Sequence, residues 1–137
     1  MAIRLERPSN EFLFEHKELF LGWFAEVAEA SGGEFTWGAI PRSINSGDLD
    51  AWVAMDGDEL MGFIAGTVAQ YANGDTFVVS AAAGRTNGMY EHFDDLLVEL
   101  AKANGCVAYE TRGRRGWLRA FRNKGMVEKY VTLRREL

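Results

Sequence analysis

The run Thr76-Phe77-Val78-Val79-Ser80-Ala81-Ala82-Ala83-Gly84-Arg85-Thr86-Asn87-Gly88-Met89-Tyr90 decides how the rest of the chain is read. Its opening is β-branched and aromatic, the composition of a strand. Its end leads into the clearest amphipathic segment of the sequence. There Met89, Phe93, Leu96, Leu97, Leu100 and Ala101 recur at helical spacing as one apolar stripe, and Gly105 stands where a C-terminal glycine stop belongs. A strand, a glycine-bearing turn and a long helix form an arrangement with chemical meaning. Backbone N–H groups left free at a helix N-terminus attract phosphate, and glycine lets the backbone come close to it.

Upstream lie two more β-prone runs, Ala51-Trp52-Val53-Ala54-Met55 and Leu60 to Ala69, joined by Asp56-Gly57-Asp58-Glu59. Asp-Gly between such runs signals a hairpin, and Asn73-Gly74 repeats the signal ahead of Thr76, so three antiparallel strands are expected in succession. Earlier still, Ile3 and Leu5 alternate with Arg4 and Glu6 as a short first strand, which Pro8 ends. Ser9 or Asn10 can cap a helix that runs from Glu11 to about Ala30, with Phe20, Trp23, Phe24 and Val27 on one face and Gly32-Gly33 as its stop. A short helix over Pro41 to Leu49 would turn Ile40, Ile44 and Leu49 inward. Downstream, Cys106 to Thr111 reads as a strand, Trp117, Leu118 and Phe121 as a short helix ended by Gly125, and Met126 to Leu133 as a final strand.

The chain of 137 residues suits a single domain over residues 1–137, able to bury roughly two thirds of its unfolded surface. Hydrophobic residues make up 47% and charged residues 26%, a globular balance. The net charge of −5 argues against a general nucleic-acid binder, which needs a basic surface to release counterions. One cysteine, Cys106, precludes an intramolecular disulfide and suits a reducing compartment. The N-terminus alternates apolar and charged residues, unlike a signal peptide, and no stretch reaches the ~20 apolar residues that cross a bilayer. The expectation is a cytoplasmic protein with no membrane association.

The element order β-α-α-β-β-β-α-β-α-β, over nearly the whole chain, resembles the GNAT acyltransferase superfamily. The resemblance implies an α/β (α+β) fold with a mixed, mostly antiparallel central sheet flanked by helices. In that family a strand enters a loop of pattern Q/R-x-x-G-x-G/A that opens the long central helix. Arg85 and Gly88 match the pattern, and Tyr90 stands at its Gly/Ala position. By resemblance, Arg85, Thr86, Asn87, Gly88, Met89 and Tyr90 would hold the pyrophosphate of acetyl-CoA. Tyr90 spares that site if it points sideways, since Leu97 and Ala101 share its helical face, and blocks it if it points forward. Backbone N–H groups from Ser80 to Ala82 would take the thioester oxygen on a strand splayed from its neighbour.

The stretch from Arg112 to Met126 resembles the family's late segment, with Arg114 at its Asn position and Phe121 at the position of its proton-donating Tyr. Phenylalanine cannot donate a proton, a contribution typically worth ~10²–10⁴ in rate. A thiol of pKa about 8.5 can leave without full protonation. Members often carry a Glu on the strand before the phosphate loop; Thr76 to Ser80 has none. Glu110 on the adjoining strand is the best substitute base, followed by Asp75.

Other constellations have plainer readings. His16 and His92 are too few and badly spaced for a metal site. Cys106 reads as a small core residue. Asp56, Asp58 and Glu59 fall short of a calcium loop. Phe12, Phe14, Phe20, Trp23 and Phe24 exceed what one inward face needs, so some are candidates for a substrate groove or partner interface. Arg112, Arg114, Arg115, Arg119, Arg122 and Lys124 form a basic cluster, either a solvated helix face or a contact for coenzyme A phosphates, an acidic partner or nucleic acid.

Two functions follow. One is an acyl-CoA-dependent N-acetyltransferase acting by direct attack of a primary amine, small-molecule or protein-borne. The other is a catalytically inactive binding or structural protein, similar in length and eroded motif to GNAT-like internal virion proteins of short-tailed phages. The oligomeric state, a homodimer included, is open at this level.

Overall fold

The computed structural model describes residues 3–31, 38–85, 89–111, 125–130 and 132–137. Its elements are β1 (Ile3–Glu6), α1 (Asn10–Glu15), α2 (Lys17–Ala30), α3 (Ala39–Ser46), β2 (Asp50–Asp56), β3 (Glu59–Tyr71), β4 (Gly74–Gly84), α4 (Met89–Ala103) and β5 (Ala108–Thr111). The five strands form one sheet in chain order, antiparallel from β1 to β4 and parallel between β4 and β5. The parallel step needs a crossover, which α4 supplies. Both expected hairpins form: Gly57, at φ 60°, lies in the first turn, and Gly74, at φ 126°, opens β4 directly after the second, paired with Tyr71.

Helices cover both faces. On one, Phe93, Leu96, Leu97, Leu100 and Ala101 of α4 pack on Trp52, Ala54, Met61, Ile64, Phe77 and Val79. On the other, Phe20, Trp23 and Phe24 of α2 and Ile40 of α3 meet Val53, Met55, Leu60, Phe63, Ala65, Ala81 and Ala83. Phe63 is the hub of the second layer: the rings of Phe24, Trp23 and Phe20 stand 5.3, 6.1 and 6.4 Å from it. Burying one such side chain is worth roughly 1.5–3 kcal/mol, so both layers hold the sheet.

The expected helix from Glu11 to Ala30 is two helices. Ser9 caps the first, its Oγ accepting from the Phe12 amide at 3.1 Å. His16 then leaves helical geometry at φ −109°, ψ 20°. Its ring stacks on Phe12 at 4.2 Å, with Nδ1 2.9 Å from the Phe12 carbonyl oxygen, so the side chain competes for a backbone acceptor where the helix breaks. Of the surplus aromatics, Phe14 is exposed, under the Lys17 ammonium at 4.5 Å, and Phe12 packs against the second layer.

The expected final strand, Met126 to Leu133, is not observed among the described residues. Residues 126–130 and 132–137 lie outside any ladder; Met126 packs on the α4 layer, while Val127, Tyr130 and Leu133 are exposed. Their apolar character meets no covering surface among the described residues. The expected helix at Trp117 to Phe121 lies outside the described residues. No helix of the described residues is long and apolar enough to cross a membrane.

Candidate active site

β4 carries the feature that organises the site. In its pairing with β3, Ala65 faces Ala81 and Gly66 faces Val79, so Ser80 is an extra residue without a partner on β3. This is a β-bulge, which re-aims the strand and frees backbone groups. The bulge also inverts the side-chain alternation. Phe77 and Val79 face α4, whereas Ala81 and Ala83, of the same parity, face α2. Gly66 makes the bulge possible: a Cβ there would stand 2.3 Å from the Val78 carbonyl oxygen and 2.9 Å from the Phe77 ring.

The same point marks where β4 runs past β5. Register pairs join Thr76, Phe77, Val78 and Val79 to Ala108, Tyr109, Glu110 and Thr111. From Ser80 to Gly84, β4 keeps only its β3 neighbour among the described residues. Ser80 and Ala82 are half-buried, and Ala82 packs on the α4 layer.

Glu110 is the register partner of Val78, two residues before the bulge. On regular ladder spacings of ~3.3 Å per residue and ~4.8 Å between strands, its Cα would stand about 8 Å from that of Ser80. The Tyr71 hydroxyl donates a 3.0 Å hydrogen bond to Glu110 Oε1. Asp75 does not join them. It pairs with Gln70 and shares the parity of Phe77, which puts it on the α4 face, opposite Glu110.

Next to Glu110, Tyr109 turns to α4, where its hydroxyl donates to the Asp94 carboxylate. Burial first, then the hydrogen bond to Asp94 and the charges of Asp94 and Asp95, push this phenol well above its ordinary value. The contact fastens β5 to the helix that follows the proposed phosphate loop. Cys106 precedes β5, half-buried against α4; loss of water and then the charge of Asp75 push its thiol up, disfavouring the nucleophilic thiolate.

Arg85 closes β4. Its amide donates to the Met61 carbonyl at 2.8 Å, and its Nε donates to the Leu60 carbonyl at 2.8 Å, with Glu59 Oε1 3.6 Å away. The side chain is thereby folded back on the start of β3. Thr86, Asn87 and Gly88 lie outside the described residues, as do Arg114, Phe121 and the basic run between 112 and 124. Met89 and Tyr90 open α4. Two residues escaped the reading of the sequence. Gly66, a glycine inside a strand, was a legible bulge signal; Tyr71 carried no signal of its own.

No protein-family model matches the chain, and no curated protein matches it. Solved structures do. A GNAT family acetyltransferase from Staphylococcus aureus superposes with a TM-score of 0.70 at 13% identity, covering 100% of both chains. A possible acetyltransferase from Clostridium difficile gives 0.71 at 11%, over 100% of this chain and 99% of that one. A predicted acetyltransferase from Clostridium acetobutylicum, solved with acetyl-CoA, gives 0.64 at 12%, over 97% and 96%. Sheet order, crossover helix and full-length superposition agree: this chain has the fold of the GNAT acetyltransferases.

Proposed function

We propose that this protein is an acyl-CoA-dependent N-acetyltransferase that acts on a primary amine. The observation that supports it most is the bulge at Ser80, placed where β4 loses its β5 partner. There the backbone N–H groups of Ser80 to Ala82 are the candidates to hold a thioester oxygen, a role in which one lost donor typically costs ~10²–10³ in rate. From Ser80 to Gly84 this edge has no β5 neighbour among the described residues, which makes it the candidate position for a narrow chain such as pantetheine. The segment Arg85 to Tyr90 at the head of α4 is the candidate for pyrophosphate, with Arg85 supporting its start from β3.

When bound, acetyl-CoA supplies an acetyl carbon activated as a thioester, so that a C–N bond can form as the C–S bond breaks and its electron pair leaves on sulfur. Glu110 serves as base, taking a proton from the acceptor's ammonium group directly or through one water. The protein's remaining work is placement: the bulge sets the oxygen site, and Tyr109 on Asp94 keeps β5, and so Glu110, in register with α4.

Three observations favour the second reading, a protein that keeps the fold and only binds. The Nε of Arg85 is engaged by β3, while Tyr90 and Phe121 depart from the family pattern. Calorimetric titration with acetyl-CoA, with Gly88→Trp as control, separates the two. Micromolar binding abolished by the substitution supports the acyltransferase; no heat at high ligand concentration rejects it and favours a partner-binding role through the arginine cluster.

A further inference from the structure

We propose that Tyr71 is the positioning residue for the base, holding Glu110 by one carboxylate oxygen and leaving the other to an acceptor that arrives as a primary alkylammonium ion; the inference rests on the acyltransferase reading above.

The registers put Thr67 opposite Val78, and Val78 opposite Glu110, so these three residues form one row across three strands. Tyr71 and Gly74 pair at the hairpin end of the same face. This is the face of Ala65 and Ala81, but the covering helices stop short of the row: Thr67 is exposed and Val78 and Glu110 are half-buried. Glu110 therefore sits at the border of a covered layer and open sheet, the place where a carboxylate can meet a solvated cation.

The hydrogen bond from Tyr71 is not a neighbour-strand contact. Tyr71 lies on β3 and Glu110 on β5, so the phenol crosses β4, which carries no side chain at Gly74. Among the described residues Glu110 makes no other side-chain hydrogen bond or ion pair. A glutamate so placed would otherwise sample several rotamers. Tyrosine, with only two side-chain torsions, fixes it from the tight end of a hairpin. One oxygen is then committed to the phenol, and an ionised carboxylate keeps acceptor capacity on the second.

The test measures thiol release from acetyl-CoA with two nucleophiles, n-butylamine and hydroxylamine. The first is protonated at neutral pH and needs a base; the second is already uncharged. Tyr71→Phe should lower kcat with n-butylamine about tenfold, as a lost orientation does, and leave the hydroxylamine rate and the KM for acetyl-CoA within about twofold. Glu110→Gln should lose about a hundredfold with n-butylamine, and the double variant should be no slower than Glu110→Gln alone. Equal n-butylamine rates for wild type and Tyr71→Phe overturn the proposal, as do equal losses with both nucleophiles or multiplying losses in the double variant. Wild-type turnover of hydroxylamine without n-butylamine also overturns it while sparing acyl transfer. A wild type that neither binds nor consumes acetyl-CoA refutes the acyltransferase reading itself.

Discussion

Gly66 lies against the backbone of Val78 so closely that a Cβ on it would stand 2.3 Å from the Val78 carbonyl oxygen. That oxygen belongs to backbone and cannot swing away, unlike the tip of a side chain. Gly66→Ala must therefore push β4 off β3 or abolish the bulge at Ser80. A cost of about 1–3 kcal/mol is expected, the range for overpacking. Urea unfolding gives the stability, and the amide spectrum of Ser80 to Ala82 reports the bulge. Thr67→Ala, one residue on and exposed, is the control and should stay within about 0.5 kcal/mol. A Gly66→Ala protein with wild-type stability and unmoved Ser80 resonances contradicts this account.

Phe63 joins α2 to the middle of the sheet through three aromatic partners, Phe20, Trp23 and Phe24. Truncation leaves a void lined by rings that cannot collapse into it. Phe63→Ala should cost about 3–5 kcal/mol, a large part of the 5–15 kcal/mol typical of a domain. Phe14→Ala, which removes an exposed ring, should cost little. Comparable midpoints in urea for the two variants would rule out Phe63 as the hub.

How far the sequence reveals this architecture depends on the kind of signal. Asp56-Gly57 and Asn73-Gly74 announce their hairpins because Gly57 in the first turn and Gly74 just past the second both take positive φ. The apolar stripe from Phe93 to Ala101 announces α4 because one face is buried. The bulge is hinted at by Gly66, but its place on β4 is silent. Phe77, Val79, Ala81 and Ala83 alternate without a break, so period-two reasoning puts all four on one face; the extra residue Ser80 sends the last two to the other. The break at His16 is hidden too, because a ring stacking on Phe12 is invisible to periodicity. Alternation in Met126 to Leu133 promises a strand, yet no partner strand is found among the described residues. Of the site, Glu110 was legible as the lone carboxylate on its strand, whereas Tyr71 depends on a contact spanning three strands.

Tyr109 makes stability sensitive to alkali. Its phenol is held protonated in the folded state, by burial first and by Asp94 second, so its folded pKa lies above the unfolded value of about 10. A group raised in this way contributes fully below the unfolded pKa, and the contribution is lost as pH rises above it. Stability should thus decline from about pH 10 upward, where the unfolded chain releases a proton that the native state retains. Tyr109→Phe removes this slope; it should unfold more readily at pH 7 and show a shallower alkaline decline. Urea midpoints measured between about pH 7 and 11 check it. Parallel curves for the two proteins would assign the alkaline loss to other groups.

Arg85 and Glu59 allow two contacts of one side chain to be ranked. The Nε of Arg85 donates to the Leu60 carbonyl at 2.8 Å, a directed bond to backbone, while Glu59 Oε1 stands 3.6 Å away with both side chains well exposed. Exposed ion pairs contribute about 0–1 kcal/mol and are screened by salt; a hydrogen bond contributes about 0.5–1.5 kcal/mol. Glu59→Gln should therefore be nearly neutral in stability and in acetyl-CoA affinity. Arg85→Ala should loosen the exit of β4, lower stability by about 1 kcal/mol and, if the proposed function holds, weaken acetyl-CoA binding by roughly tenfold. Calorimetric titration of both variants at low and high salt decides the matter. If Glu59→Gln weakens binding as much as Arg85→Ala does, and salt erases the difference from wild type, the ion pair rather than the backbone bond positions the loop.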